Sequence, residues 1–355
     1  MKKIAFFDTK PYDKRSFEQV NENFGFEITY FKAHLNEETV GLTKGFDTVC
    51  AFVNDEITEN VLQHLKNHGI ELIAMRCAGY NNIDLKAAYG NVHVVRVPSY
   101  SPYSVAEHAA ALVLSLNRKT HRAFYRTRDN NFSIDGLMGF DLHGKTAGII
   151  GTGKIGQIMI DIMKGFGMKI YAYDLFPNES YAKENGVEYT DLETLYKESD
   201  VISLHCPLTP ETHYLINDKA IELMKPGILL INTGRGLLID SKALINGLKS
   251  GKIGGAGLDV YEEEAKYFFE DFSSSSISDD ILARLMTFPN VLITSHQGFF
   301  TKEALQNIAE TSLQNIKDFY DDKVLKNEIC YQCHGDCVKP GKKRCFQIKR
   351  SNQET

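Results

Sequence analysis

The chain holds 355 residues, 43% of them hydrophobic and 24% charged. That length accommodates two domains, and that balance is globular, which excludes a disordered or fibrous chain. A formal charge of −6 offers nucleic acid and anionic membrane no general attraction, so neither is expected as a partner.

The basic start, MKKIAFFDTK, loses its apolar run at Asp8, too soon for a signal-peptide core. No apolar run approaches the roughly 20 residues of a membrane helix, so the expected location is cytoplasmic. Strand-like runs begin at Ile4, Glu27, Thr48, Glu71 and Val92. Helical segments between them, such as ITENVLQHLKNHG, end at glycine, which predicts a parallel sheet covered on both faces. Residues 101–120 predict a long helix, with Ser101 as cap and Pro102 in its first turn. It is apolar nearly all round, so it should be buried, against the core or another subunit. A second strand series starts at Ala147, Ile170, Val201, Ile228, Gly254 and Val291 and ends near 295. An amphipathic helix follows over 302–322.

The second series opens on AGIIGTGKIG, a strand running into Gly151-x-Gly153-x-x-Gly156 and then a helix. Gly151 allows the tight turn, Gly153 lets backbone N–H groups approach a pyrophosphate, and Gly156 lets helix and strand pack closely. The phosphates would sit at the helix N-terminus. Asp174 ends the next strand, where a carboxylate accepts hydrogen bonds from ribose hydroxyls and repels a 2′-phosphate, so NAD (NADH) is the expected cofactor. Because the motif begins after a complete sheet, the dinucleotide domain is expected to be inserted into another, with crossings near 100 and 298.

Three further stretches stand at strand ends: INTGRG, DVYEEE and ITSHQGFF. In an open parallel sheet, ligands bind beyond the carboxyl ends of the strands. Arg235 can grip a carboxylate and polarise a carbonyl. His296 can donate the proton that a reduced 2-oxo acid needs, and a neighbouring carboxylate from Glu262–Glu264 would favour its charged form.

These stretches, with RCAGYNNIDL, VPSYSPYSVAEHAAAL and HCPLTPETHYLI, resemble the D-isomer-specific 2-hydroxyacid dehydrogenase family over about residues 1–333. Within it the resemblance is strongest to the bacterial fermentative D-lactate dehydrogenases, and the 268–280 insertion shares it. It implies an α/β fold of two doubly wound parallel sheets, a Rossmann NAD-binding domain inserted into a flavodoxin-like substrate domain. The implied bounds are 1–99 with 299–337, and 100–298, followed by a basic tail over 338–355. It implies reversible hydride transfer between NADH and pyruvate, giving D-lactate. His296 is then the acid/base, Glu264 its carboxylate and Arg235 the substrate binder. Lys154 and Ile155 in the glycine turn, with Cys206, Pro207, Thr233, Gly234 and Asp259, would bind the cofactor. Ala78, Gly79, Tyr100 and Phe299 would bind substrate. A homodimer through the 101–120 region, or a tetramer, is implied. Two alternatives stay open: a hydroxyisocaproate-type reductase of bulkier 2-oxo acids, and a non-enzymatic NAD-sensing corepressor-like protein.

Cys50, Cys77 and Cys206 lie in apolar runs and read as small buried hydrophobes. Cys330, Cys333, Cys337 and Cys345, with His334, crowd a tail whose residues 338–355 hold six Lys/Arg against Glu354. The irregular spacing favours a disordered, redox-reactive tail and no metal, with a zinc knot as the lesser reading.

Overall fold

The structure is a computed structural model and describes residues 1–333, 335–336 and 343–348. The chain divides into two compact units, Met1–Ser101 with the chain from Thr301 onward, and Pro102–Phe300.

The first unit opens with β1 (Lys3–Phe6), α1 (Pro11–Asn21), β2 (Glu27–Tyr30), β3 (Thr48–Ala51), α2 (Glu59–Asn67), β4 (Leu72–Met75), α3 (Leu85–Ala88) and β5 (His93–Val95). The second runs α4 (Pro102–Arg118), α5 (Thr120–Arg128), β6 (Thr146–Ile150), α6 (Lys154–Gly165), β7 (Lys169–Tyr173), α7 (Glu179–Asn185), β8 (Glu188–Tyr189), α8 (Leu192–Glu198), β9 (Val201–Leu204), α9 (Asp218–Leu223), β10 (Ile228–Asn232), α10 (Ser241–Lys249), β11 (Ile253–Leu258), α11 (Asp280–Met286) and β12 (Val291–Ile293). The chain then returns to the first unit as α12 (Lys302–Tyr320), β13 (Glu328–Cys330) and β14 (Gly335–Asp336). Among the described residues no helix is long and apolar enough to cross a membrane.

The first sheet has the order β14-β13-β5-β4-β3-β1-β2, and its five parallel strands follow the flavodoxin-like 2-1-3-4-5 arrangement. The second has the order β12-β11-β10-β9-β6-β7-β8, all parallel. Counted from β6, this is the doubly wound 3-2-1-4-5-6 order with one further strand. Its reversal lies between β6 and β9, where such sheets open a crevice for ligand.

Both faces of the second sheet are covered, so its strands are continuous apolar runs. One core packs Ile202, Leu230, Ile239, Leu244 and Leu285. The other packs Ala106, Ala109, Leu112, Val113 and Leu116 of α4 against Met159 and Met163 of α6. The long helix is therefore buried inside its own unit over much of its surface. It stops two residues before the expected end, because Lys119 takes a left-handed φ of 49° and α5 starts afresh.

In the first unit Arg76 is fully buried after β4. Its guanidinium lies 4.4 Å over the Phe6 ring and 4.6 Å over Phe52, and it donates to the Asp8 carbonyl at 2.6 Å. Desolvation of so buried a cation costs free energy unless it is held this closely.

The expectation of a disordered tail fails over 343–348, which pack on the first unit. Leu325 N donates to the Lys343 carbonyl at 2.9 Å, and Arg344 Nη2 donates to the Phe319 carbonyl at 2.6 Å. Cys345 N donates to Glu328 Oε2 at 2.7 Å, while Glu328 Oε1 lies 2.6 Å from His93 Nδ1. Glu328 and His93 are each 1% exposed, so one buried carboxylate ties β5, β13 and the returning chain together. Cys337 and His334 lie outside the described residues. Glu328→Ala leaves two buried donors unmatched, and we expect a loss of about 1–3 kcal/mol in equilibrium urea unfolding. Wild-type stability in that variant would show the buried network to be energetically neutral.

Candidate active site

The glycine turn lies between β6 and α6. Gly151 has φ +94°, and a Cβ there would meet Cys206 N at 2.5 Å. A Cβ on Gly156 would meet the Gly151 carbonyl oxygen at 2.0 Å, so helix and strand close on each other as expected. A Cβ on Gly153 would meet nothing within 4 Å, which leaves the backbone open to an approaching ligand. Lys154 and Ile155 begin α6, where the first N–H groups have no partner within the helix.

Asp174 follows β7 and is drawn onto this turn. Its Oδ2 accepts from Thr152 N at 2.6 Å and Thr152 Oγ1 at 3.0 Å, and its Oδ1 accepts from Phe176 N at 2.9 Å. Burial opposes its ionisation, but these bonds outweigh it and hold the carboxyl below its usual range. Cys206 and Pro207 come just after β9. Burial pushes the Cys206 thiol up to about 11, so it packs there as a neutral group.

Three neighbouring strands, β10, β11 and β12, carry the remaining groups past their carboxyl ends. After β10, Thr233 is buried, and among the described residues its Oγ1 has no hydrogen-bond partner. Gly234 N donates to Asn232 Oδ1 at 3.0 Å, and Arg235 Nη1 donates to the Gly234 carbonyl at 2.8 Å. Among the described residues no carboxylate pairs with Arg235. Gly236 must be glycine, because a Cβ there would lie 2.1 Å from the Tyr261 carbonyl carbon.

After β11 the three glutamates part company. Glu262 accepts from Tyr214 OH at 2.8 Å and from Ser241 N at 2.7 Å, so it is structural. Glu263 is exposed. Glu264 Oε2 accepts from Tyr261 N at 2.9 Å, and its Oε1 lies 2.8 Å from His296 Nδ1. Both side chains of that pair are half-buried.

His296 follows β12 in a left-handed conformation, φ 52°, which costs a non-glycine residue about 1–2 kcal/mol. Asp259 holds it there. The Asp259 carbonyl accepts from His296 N at 2.8 Å. Its carboxylate accepts from Thr294 Oγ1 at 2.5 Å, Gln297 N at 2.8 Å and Gly298 N at 2.7 Å. His108 Nε2, on α4, stands 3.3 Å from the same carboxylate and 3.0 Å from Thr294 Oγ1. Sequence reasoning missed this clamp, although Asp259 opens the DVYEEE stretch. It also missed Phe269, whose ring centroid lies 6.0 Å from that of His296. Phe299 is 8% exposed and 6.4 Å from the Phe269 ring.

The other expected substrate residues belong to the first unit. Ala78 and Gly79 follow Arg76 and are partly exposed; the Ala78 carbonyl accepts from Arg96 Nη1 at 2.8 Å. Cys77 Sγ donates to the Gly79 carbonyl at 3.2 Å, and the Tyr100 carbonyl accepts from Asn307 Nδ2 at 2.6 Å.

A family model described as "D-isomer specific 2-hydroxyacid dehydrogenase, NAD binding domain" matches residues 110–298. The chain is 53% identical to a D-lactate dehydrogenase of Escherichia coli over 328 residues, 92% of this chain and 99% of that one. It belongs to the D-isomer-specific 2-hydroxyacid dehydrogenase family. The apo-structure of the E. coli enzyme superposes with a TM-score of 0.85 at 51% identity, over 92% of this chain and 99% of that one. An NAD-complexed family member from Lactobacillus delbrueckii ssp. bulgaricus does so at 0.77 and 32%, with the same coverage. The cofactor is NAD, and the open Gly153 backbone, the fixed Asp174 and the unpartnered Thr233 hydroxyl fit it.

The Asp259 clamp can be tested directly. Asp259→Asn turns an amide group towards donors that need acceptors. We expect a loss of about 2 kcal/mol or more in chemical denaturation, with most of the turnover. Full activity and stability would show that the turn holds His296 unaided.

Proposed function

We propose that this family member reduces pyruvate to D-lactate with NADH, reversibly, using Arg235, Glu264 and His296. The observation that supports it most is the 2.8 Å His296–Glu264 pair one strand away from Arg235, which no carboxylate among the described residues pairs. The 53% identity to a D-lactate dehydrogenase favours pyruvate over a bulkier acid; a D-2-hydroxyisocaproate dehydrogenase structure is 33% identical.

In this reading the Arg235 guanidinium takes the substrate carboxylate and polarises the carbonyl, a task suited to a permanent, forked cation. Bound NADH supplies the hydride that reduces the carbonyl carbon. With Nδ1 engaged by Glu264, Nε2 of His296 gives its proton to the carbonyl oxygen, and the reverse reaction returns it there. Glu264 fixes the orientation of the ring through that contact. Gly151, Gly153, Lys154, Ile155 and Gly156 would hold the pyrophosphate, and Asp174 the adenosine ribose. Cys206, Pro207, Thr233 and Gly234 would line the nicotinamide side, with Asp259 acting there through the turn it clamps. Phe299, beside Phe269, would wall the substrate side of this site.

We also propose a cytoplasmic homodimer through α5 and the segment after it, where Phe124, Tyr125, Phe132, Ile134 and Met138 are all more than half exposed.

NADH oxidation with pyruvate, 2-oxoisocaproate and phenylpyruvate, with chiral analysis of the product, tests the proposal. We expect pyruvate to be fastest and the product to be D-lactate. Preference for a bulkier acid would overturn the substrate, and NADH binding without turnover would favour a sensor. His296→Gln should lose at least about a hundredfold in kcat, as for a general acid, while still binding NADH. Unchanged turnover there would remove His296 from the chemistry. Glu264→Gln replaces the carboxylate that orients the ring by an amide, so kcat should fall by about tenfold or more while NADH binding is kept. Unchanged kcat would return Glu264 to a structural role.

A further inference from the structure

Outside the active site, Cys330, Cys333 and Cys345 of the first unit bring their thiol sulfurs within 4.8 Å of one another. Cys330 Sγ lies 2.8 Å from Cys345 Sγ, and Cys333 Sγ lies 3.5 Å from the same atom. We propose that these three cysteines bind a structural zinc ion, with the fourth position taken by water or another donor. A tetrahedral zinc with Zn–S bonds of about 2.3 Å separates its sulfurs by roughly 3.8 Å; the 3.5 Å pair is near that spacing, and the 2.8 Å pair would open by about 1 Å to admit the ion.

The backbone presents the ligands as a zinc site needs them. Cys330 ends β13, and the chain turns at once, Cys333 N donating to the Cys330 carbonyl at 3.3 Å. That is the turn of a C-x2-C knuckle. The third ligand arrives from the returning chain and is placed without help from the metal. Cys345 N is held by the buried Glu328, and the next residue, Phe346, stacks on His93 at 4.3 Å with 9° between the rings. Tyr89 and Phe346 pack against Cys330 and Cys345, giving the thiolates an apolar shell. Cys330 and Cys345 are 2% and 6% exposed. An all-sulfur donor set of this geometry selects zinc over the hard cations. Binding exchanges the thiol protons for the ion, so three S–H groups become Zn–S bonds and their protons pass to solvent. The ion would fasten residues 343–348 to β13, far in kind from the chemistry at His296.

The test uses the full chain, purified reduced and without chelator. Metal analysis should find about one zinc per chain, and a thiol reagent should reach these cysteines only after chelator strips the ion. Cobalt added to the stripped protein should give a thiolate charge-transfer band. Cys333→Ser, the least buried of the three, and Cys345→Ser should each lose zinc, lower Tm and keep turnover of the 2-oxo acid. Because either variant could simply misfold, the wild-type zinc content and cobalt spectrum decide. The proposal is overturned by zinc-free wild-type protein with no cobalt band. It is equally overturned if protein isolated without added reductant carries a Cys330–Cys345 disulfide in peptide mapping.

Discussion

The buried carboxylate of Asp259 is the interaction on which the site depends. A parallel sheet ends along one edge in chain that no ladder satisfies, and every functional group here stands on such chain. The segment after β12 turns sharply with His296 at φ 52°, a conformation that reverts unless its surroundings over-determine it. Asp259 does so with a carbonyl and both carboxylate oxygens, gathering Thr294, His296, Gln297 and Gly298 while facing His108 on α4. The bonds to its carboxylate are charge-assisted and shielded from water, where they are strongest. The His296–Glu264 pair is thus aligned by a residue buried beneath it.

Most of the fold was legible because apolar runs and glycine turns are local signals. The strands of both sheets appear where their runs begin, and the Gly151–Gly156 turn lies at the crossover the motif implies. Three features left no such trace. β8 is a two-residue edge strand, too short for any period. β13 and β14 form a hairpin against β5, and a pairing between residues 95 and 328 is set by tertiary packing rather than by pattern. The break at Lys119 separates two helices of compatible composition with no glycine or proline to announce it.

The site divides along the same line. Residues tied to a motif, such as Glu264 and His296, meet as the motif order implied. The Asp259 carboxylate reaches backbone amides 38 and 39 residues on, and a bond to an amide carries no information about the residue that supplies it. The tail was misread for a related reason. Its basic, cysteine-rich composition resembles a disordered segment, but one buried Glu328 and one stacked Phe346 suffice to seat 343–348. Composition averages over residues, whereas ordering turned on these few.

The three consecutive glutamates show how one charge run can serve three ends. Glu262 points back to the N-terminus of α10, where a carboxylate meets unsatisfied N–H groups and the positive end of the helix. It also accepts from Tyr214 OH, a bond that pushes that phenol up to about 12 and so keeps it a donor. Glu264 turns the other way, because the bond from Tyr261 N bends the chain until its second oxygen reaches His296. Gly236, pressed against the Tyr261 backbone, fixes where that bend begins. Glu263 is left facing water between them. Two of the three charges are therefore required by two different partners, and their adjacency follows from a loop that must satisfy both within three residues.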